Sequence, residues 1–159
     1  MIDGVDPFKL DEKKLAAFRN HKIGFVFQDH HLLPQLTVIE NVLIPTIADG
    51  KPSKDDLQRA TELIDSIGLS DRLGHLPSEL SGGERERVAI ARSLLMNPTL
   101  ILADEPTGNL DRTTADAVTA LLIELQQSQG AILISVTHSD ALATAMNRRL
   151  ELVDGQLVG

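Results

Sequence analysis

Apolar residues along the chain alternate between two periods, and the changes of period mark out strands and helices. Ile23-Gly24-Phe25-Val26-Phe27, Leu100 to Ala103 and Ala131 to Val136 are apolar runs of strand length. Each reads as a buried strand, and the run from Leu100, bounded by Pro98 and by charge, reads as a central parallel strand covered on both faces. Helical spacing appears elsewhere. Leu57, Ala60, Leu63, Ile64 and Ile67 share one face, with Ser53 as N-cap and Gly68 as the stop. Val88, Ala89, Ala91 and Leu95 form a second such face after Ser81, and Val118, Leu121, Leu122 and Leu125 a third after Asp111. Thr37-Val38-Ile39-Glu40 is a capping box opening a helix that Pro45 breaks or kinks. Shorter helices are expected over Asp11–Arg19 and Ser139–Met146. Arg149–Val153 alternates as a strand, and Asp154-Gly155 is a hairpin signal that returns Gln156–Val158 against it. The order is that of an α/β fold, with a helical stretch between the first and second strands of the sheet.

Composition narrows the function classes. A chain of 159 residues suffices for one domain with a core. A net charge of −8 argues against a nucleic-acid surface, while leaving room for local phosphate binding by backbone amides. With no Cys, disulfide frames and thiolate metal sites are excluded. The longest apolar runs fall far short of the ~20 residues of a spanning helix, and no basic segment followed by an apolar one opens the chain. A membrane link is therefore expected to run through a partner.

The chemistry concentrates in residues 80–111, LSGGERERVAIARSLLMNPTLILADEPTGNLD. Ser81-Gly82-Gly83-Glu84 is a capping box, and two adjacent glycines at a helix start also leave amides open to an anion. Both readings hold together. Asp104-Glu105 place two carboxylates at the end of an apolar strand. Burying unpaired charge is costly, and a divalent cation bound by a few carboxylates, waters and phosphate oxygens relieves it. Gln28 and His138 stand at the ends of the other two strands, the side on which open α/β sheets bind ligands. Taken singly, Gln28 is equally a strand-end polar group met by a loop amide, His138 a structural histidine, and Asp111 a helix cap.

With VFQ, LTVIENV, LSGGE and ADEPTGNLD in this order, nearly the whole chain resembles the ABC-type ATPases, most of all the ATPase subunits of lipoprotein-releasing and macrolide-export-type transporters. The resemblance implies a P-loop NTPase fold with an inserted α-helical subdomain. Residues of about 1–28 and 97–159 would form the RecA-like core, and about 29–96 the helical part. ATP and Mg²⁺ are the implied cofactors. Gln28 would coordinate the magnesium and report to the membrane partner, with Asp104 also on the metal. Glu105 would be the general base and His138 the contact to the γ-phosphate. Ser81, Gly82, Gly83 and Glu84 would meet the ATP of a second subunit in a head-to-tail dimer, and Asp111 would cross that interface. Membrane-spanning permease subunits would dock on the helical part, with Leu32, Leu33 and Pro34 as candidates for that surface, placing the protein on the cytoplasmic face of the membrane. Lipoprotein or lipid extraction, or peptide and drug export, follows by analogy alone.

The chain also departs from the family pattern. Arg85 and Glu86 stand where Gln is frequent, on what reads as a solvated turn of helix. No G-x-x-x-x-G-K-[ST] occurs, so the chain is expected to be an N-terminally truncated domain, inactive alone and without MgATP binding of its own. An adenine-stacking ring would have to be one of four Phe or lie outside these residues. Uncovered apolar surface is expected on the strands of Leu100 and Ile132, with a tendency to aggregate. The alternative is a non-catalytic interaction protein that supplies its signature motif in trans to an intact ATPase partner.

Overall fold

Three strands align in parallel in the computed structural model, which describes residues 1–159. They are β1 (Ile23–Phe27), β2 (Leu100–Asp104) and β3 (Ile132–Val136), adjacent in that order. Their register sets Phe27, Asp104 and Val136 side by side, so the chain leaves all three strands at one edge. Gln28, Glu105 and Thr137 are the next residues out.

The helices are α1 (Glu12–Lys22), α2 (Val38–Leu43), α3 (Lys54–Ser66), α4 (Gly82–Leu94), α5 (Arg112–Gln129) and α6 (Asp140–Ala145). Each begins where a short polar side chain meets the orphan amides. Thr37, Ser53 and Ser81 form reciprocal capping boxes with Glu40, Asp56 and Glu84. Asp11, Asp111 and Ser139 cap the other three. α1 runs three residues beyond Arg19, up to the first residue of β1. Pro45 does not stop helical structure at once; a tighter 3₁₀ segment continues over Ile44–Asp49.

α4 is the central helix. It packs on β1 and against α2, α3 and α5. Gly24 permits the approach to β1, since a Cβ there would lie 2.3 Å from the Ser93 carbonyl oxygen. One apolar cluster joins Val26, Ile101 and Ala103 of the sheet to Val88, Ile90 and Leu94 of α4, Val118 and Leu122 of α5, and Ile64 of α3.

The opposite face of the sheet overturns the reading of its strands as buried on both sides. Ile132, Ile134 and Val136 are 61%, 53% and 65% exposed, and Phe25 and Phe27 are also exposed. Leu100 and Leu102 on β2 are half-buried. The apolar runs are continuous, yet only one face is fully covered. Uncovered apolar surface on the strands of Leu100 and Ile132 is therefore present, as expected from the sequence. The hairpin β4 (Glu151–Val153) and β5 (Gln156–Val158) forms a separate two-stranded sheet. Its turn residues Asp154 and Gly155 have φ of 49° and 79°, as a tight two-residue hairpin requires.

Candidate functional site

The strand ends bring Gln28, Asp104, Glu105 and His138 to one corner. Glu105 follows β2 directly and adopts φ 46°, a left-handed conformation uncommon for a residue with a side chain. Its amide donates to the Val136 carbonyl at 2.9 Å. Its carboxylate accepts from the His138 amide at 2.8 Å and from the Thr137 hydroxyl at 3.1 Å. The His138 imidazole itself is fully exposed, with Nε2 3.6 Å from Glu105. Backbone strain of this kind persists where surrounding bonds over-determine it, and it gathers at sites that use the pre-set geometry.

Gln28 is held from the neighbouring turn. Its Nε2 donates to Asn109 Oδ1 at 3.3 Å, and Asn109 Nδ2 donates back to the Gln28 carbonyl at 3.1 Å. This pairing leaves the Gln28 amide oxygen free. Asp104 is exposed at the end of β2, one strand away. No three His, Asp or Glu side chains converge into a metal cage. The Asp104 carboxylate and the Gln28 amide oxygen fit a hard cation such as Mg²⁺ that keeps waters and phosphate oxygens as its main ligands. Beside them lies a cleft of about 470 Å³ lined by Glu105, Gly108, Arg112, Asp116 and His138.

The Ser-Gly-Gly turn lies at the other end of the turn region. Ser81 Oγ accepts from the Glu84 amide, and the Glu84 carboxylate accepts from the Ser81 amide at 2.7 Å. The bond from the Ser81 amide, helped by the Ser81 hydroxyl, holds the Glu84 carboxyl below its ordinary range. The Gly82 and Gly83 amides keep no acceptor within the chain, and with the helix dipole they fit a phosphate oxygen. The second glycine also has a reason inside the chain. A Cβ on Gly83 would fall 2.4 Å from Thr114 Cγ2, so only glycine lets α4 start against the first turn of α5. Asp111 caps that same turn, accepting from the Thr114 hydroxyl at 2.6 Å and from the Thr114 amide at 3.2 Å, and its carboxyl is correspondingly lowered. Ser81–Gly83 and Asp111 thus form a second group, joined by Thr114.

Glu86 is not on a solvated turn. It is fully buried, and its Oε2 lies 2.5 Å from His30 Nδ1. Helical spacing puts it on one face with Ala89 and Ile90, both fully buried, so the side chain points inward. Burial pushes its carboxyl above the ordinary range, against the opposing pull of His30 and Arg92. Sequence reasoning also passed over Asn109 and Thr137, which hold Gln28 and Glu105. Both lie within four residues of a candidate, in turns where amide and hydroxyl side chains habitually bond backbone. Of the apolar docking candidates, Leu33 and Pro34 are exposed, whereas Leu32 packs on the core.

The chain is similar to known proteins in both sequence and fold. Residues 2–108 match the family described as ABC transporter. The chain is 66% identical over 157 residues to the lipoprotein-releasing system ATP-binding protein LolD 1 of Rhodopirellula baltica, covering 99% of this chain and 69% of that protein. It is 50% identical over 158 residues to LolD of Syntrophus aciditrophicus, covering 99% of this chain and 71% of the relative. Among solved structures, the dimeric post-hydrolysis state of the ATP-binding cassette MJ0796 bound to ADP and Pi superimposes with a TM-score of 0.83 at 40% identity, over 98% of this chain and 69% of that one.

Proposed function

The chain belongs to the ABC transporter family as an ATPase of the P-loop NTPase fold, and from that membership we propose that it powers lipoprotein release, hydrolysing MgATP as a dimer bound to membrane-spanning permease subunits. Its place would then be the cytoplasmic face of the membrane. Residues of about 1–28 and 97–159 are the core part on this reading, and about 29–96 the helical part that meets the permease.

The observation that carries the reading is Glu105. It stands in a left-handed conformation at the end of the central strand, its carboxylate fixed by Thr137 and His138, with Gln28 at the neighbouring strand end. In hydrolysis of a phosphoanhydride, most of the acceleration comes from positioning and charge stabilisation. Glu105 accepts a proton from the attacking water, and the His138 ring, free to turn toward the cleft, donates to a phosphate oxygen. Asp104 and the free amide oxygen of Gln28 would hold the metal. Bound Mg²⁺ would neutralise charge on the transferred phosphoryl group. On this reading Ser81, Gly82, Gly83 and Glu84, with Asp111, serve the nucleotide of the neighbouring subunit, the Gly82 and Gly83 amides being without an acceptor in their own chain. The 159 residues by themselves offer Arg112 as the one cation lining the cleft beside Glu105 and Asp116, so they are expected to hold MgATP poorly without further cationic groups.

Glu105→Gln tests this in the protein assembled with its membrane partners. Turnover should fall by about 100-fold or more, as expected for loss of a general base, while ATP binding and ATP-driven dimerisation persist. Turnover at the wild-type rate would remove Glu105 from the reaction.

A further inference from the structure

The loop that leaves β1 contains two consecutive left-handed residues, His30 with φ 60° and His31 with φ 47°. Neither is a glycine, and such a conformation persists only where its surroundings over-determine it. Those surroundings are supplied by α4, more than 50 positions away in sequence. The Arg92 guanidinium spans both strained residues, with Nη2 donating to the His30 carbonyl at 2.6 Å and Nη1 to the His31 carbonyl at 2.7 Å. Glu86, fully buried, takes the His30 ring at 2.5 Å. Gln28 begins this same loop, and on its other side Asn109 ties the loop to the turn after Glu105.

A buried carboxylate is a costly anchor. Its second oxygen, Oε1, has no partner, and Arg92 is itself drawn out of water. An apolar side chain would serve packing better at this point of the core. What the pair does that packing could not is impose a direction. A guanidinium fork meets two successive carbonyls only in one backbone conformation, and the His30 ring meets Glu86 only when the loop is turned that way.

We propose that Glu86 and Arg92 are positioning residues, which hold the Gln28–His31 loop in its left-handed form and so aim the Gln28 amide at the strand-end corner. The proposal rests on the reading of Gln28 as a group that faces the metal, while the conformational part stands on the geometry alone. Since α4 begins at Gly82, the clamp also ties the orientation of Gln28 to that of the Ser81–Gly83 turn.

The test uses the protein as the cell makes it, carrying Glu86→Ala, Glu86→Gln or Arg92→Lys. Lysine keeps the charge but replaces the rigid planar fork by a compact ammonium that does not fix the direction of two carbonyls. Hydrogen exchange is followed by peptide, and ATPase turnover is followed against Mg²⁺ concentration in the assembled complex. In Glu86→Ala and Arg92→Lys, exchange at the His30 and His31 amides should rise about tenfold with α4 still protected. The Mg²⁺ concentration for half-maximal turnover should rise about tenfold, with kcat at saturating Mg²⁺ nearly kept. Glu86→Gln, which can still meet the ring, should restore both. Exchange that rises throughout α4 as well as in the loop shows a merely structural role and overturns the proposal, as does an unchanged loop. If the loop loosens while the Mg²⁺ dependence stays at its wild-type value, the aim of Gln28 is not what the clamp controls, and the proposal also falls. A Glu105→Gln control keeps the outcomes separable: if it still turns over, the assignment of the strand-end corner fails, whatever the loop does.

Discussion

The two faces of the parallel sheet are equally apolar in sequence and opposite in fate. On one, Val26, Ile101 and Ala103 are at most 4% exposed, and they share a cluster with α4 and α5. On the other, Phe25, Phe27, Ile132, Ile134 and Val136 face outward, each at least a third exposed. Alternation along a strand decides which residues share a face. It does not decide what covers that face, which depends on where helices distant in sequence come to lie. The contrast also separates stability from association. The covered face holds the domain together, and the open one is an apolar patch of the kind that drives contact with other surfaces.

Substitution on the covered face should give the largest effect. Ile101→Ala removes a fully buried side chain at the centre of the cluster and should lower unfolding free energy by about 2–5 kcal/mol, read from denaturant midpoints. A loss under about 1 kcal/mol would mean that this face is less tightly packed than its burial implies.

The same contrast exists among carboxylates and gives a smaller effect. Glu40, Asp56, Glu84 and Asp111 sit at the surface, their carboxyls lowered by the capping bonds they accept. A lowered folded-state value adds stability that is complete above the unfolded-chain value and lost as pH falls through the folded one. Glu86, inside, is shifted the other way by burial. Its protonation therefore adds stability as pH falls through its raised folded value toward the ordinary carboxylate range. Melting temperature followed against pH should rise slightly between neutrality and that range, then drop in stronger acid. Glu86→Gln should flatten the first limb and leave the second. A first limb that survives the substitution would assign the rise to another group.

The smallest change in stability is expected on the open face. Ile134→Thr should alter unfolding free energy by no more than about 0.5 kcal/mol. It should nevertheless reduce self-association in sedimentation, because it interrupts the apolar patch. A large loss of stability would show that Ile134 is covered in solution.

Much of the fold was readable from the order of residues, and the reason is range. The capping boxes at Thr37, Ser53 and Ser81 act across three residues, and the turn at Asp154-Gly155 across two. Gln28, Glu105 and His138 were readable as strand-end residues because each follows an apolar run. Their convergence needed the register that sets Phe27, Asp104 and Val136 side by side. Less readable was the second role of Gly83, which depends on Thr114 of another helix.

What the sequence determined alone is therefore local: periods, caps, turns and the identity of the groups able to hold phosphate or metal. Backbone geometry and near-neighbour hydrogen bonds set these before any packing occurs. Only the tertiary structure decided that Glu86 lies inside against His30 while Glu105 stands at the strand end, and that Asn109 reaches Gln28 across 81 positions of sequence. It alone decided that one face of the sheet is covered and the other open. Those outcomes depend on which distant surfaces meet, and a charged or apolar side chain carries no record of its eventual neighbour.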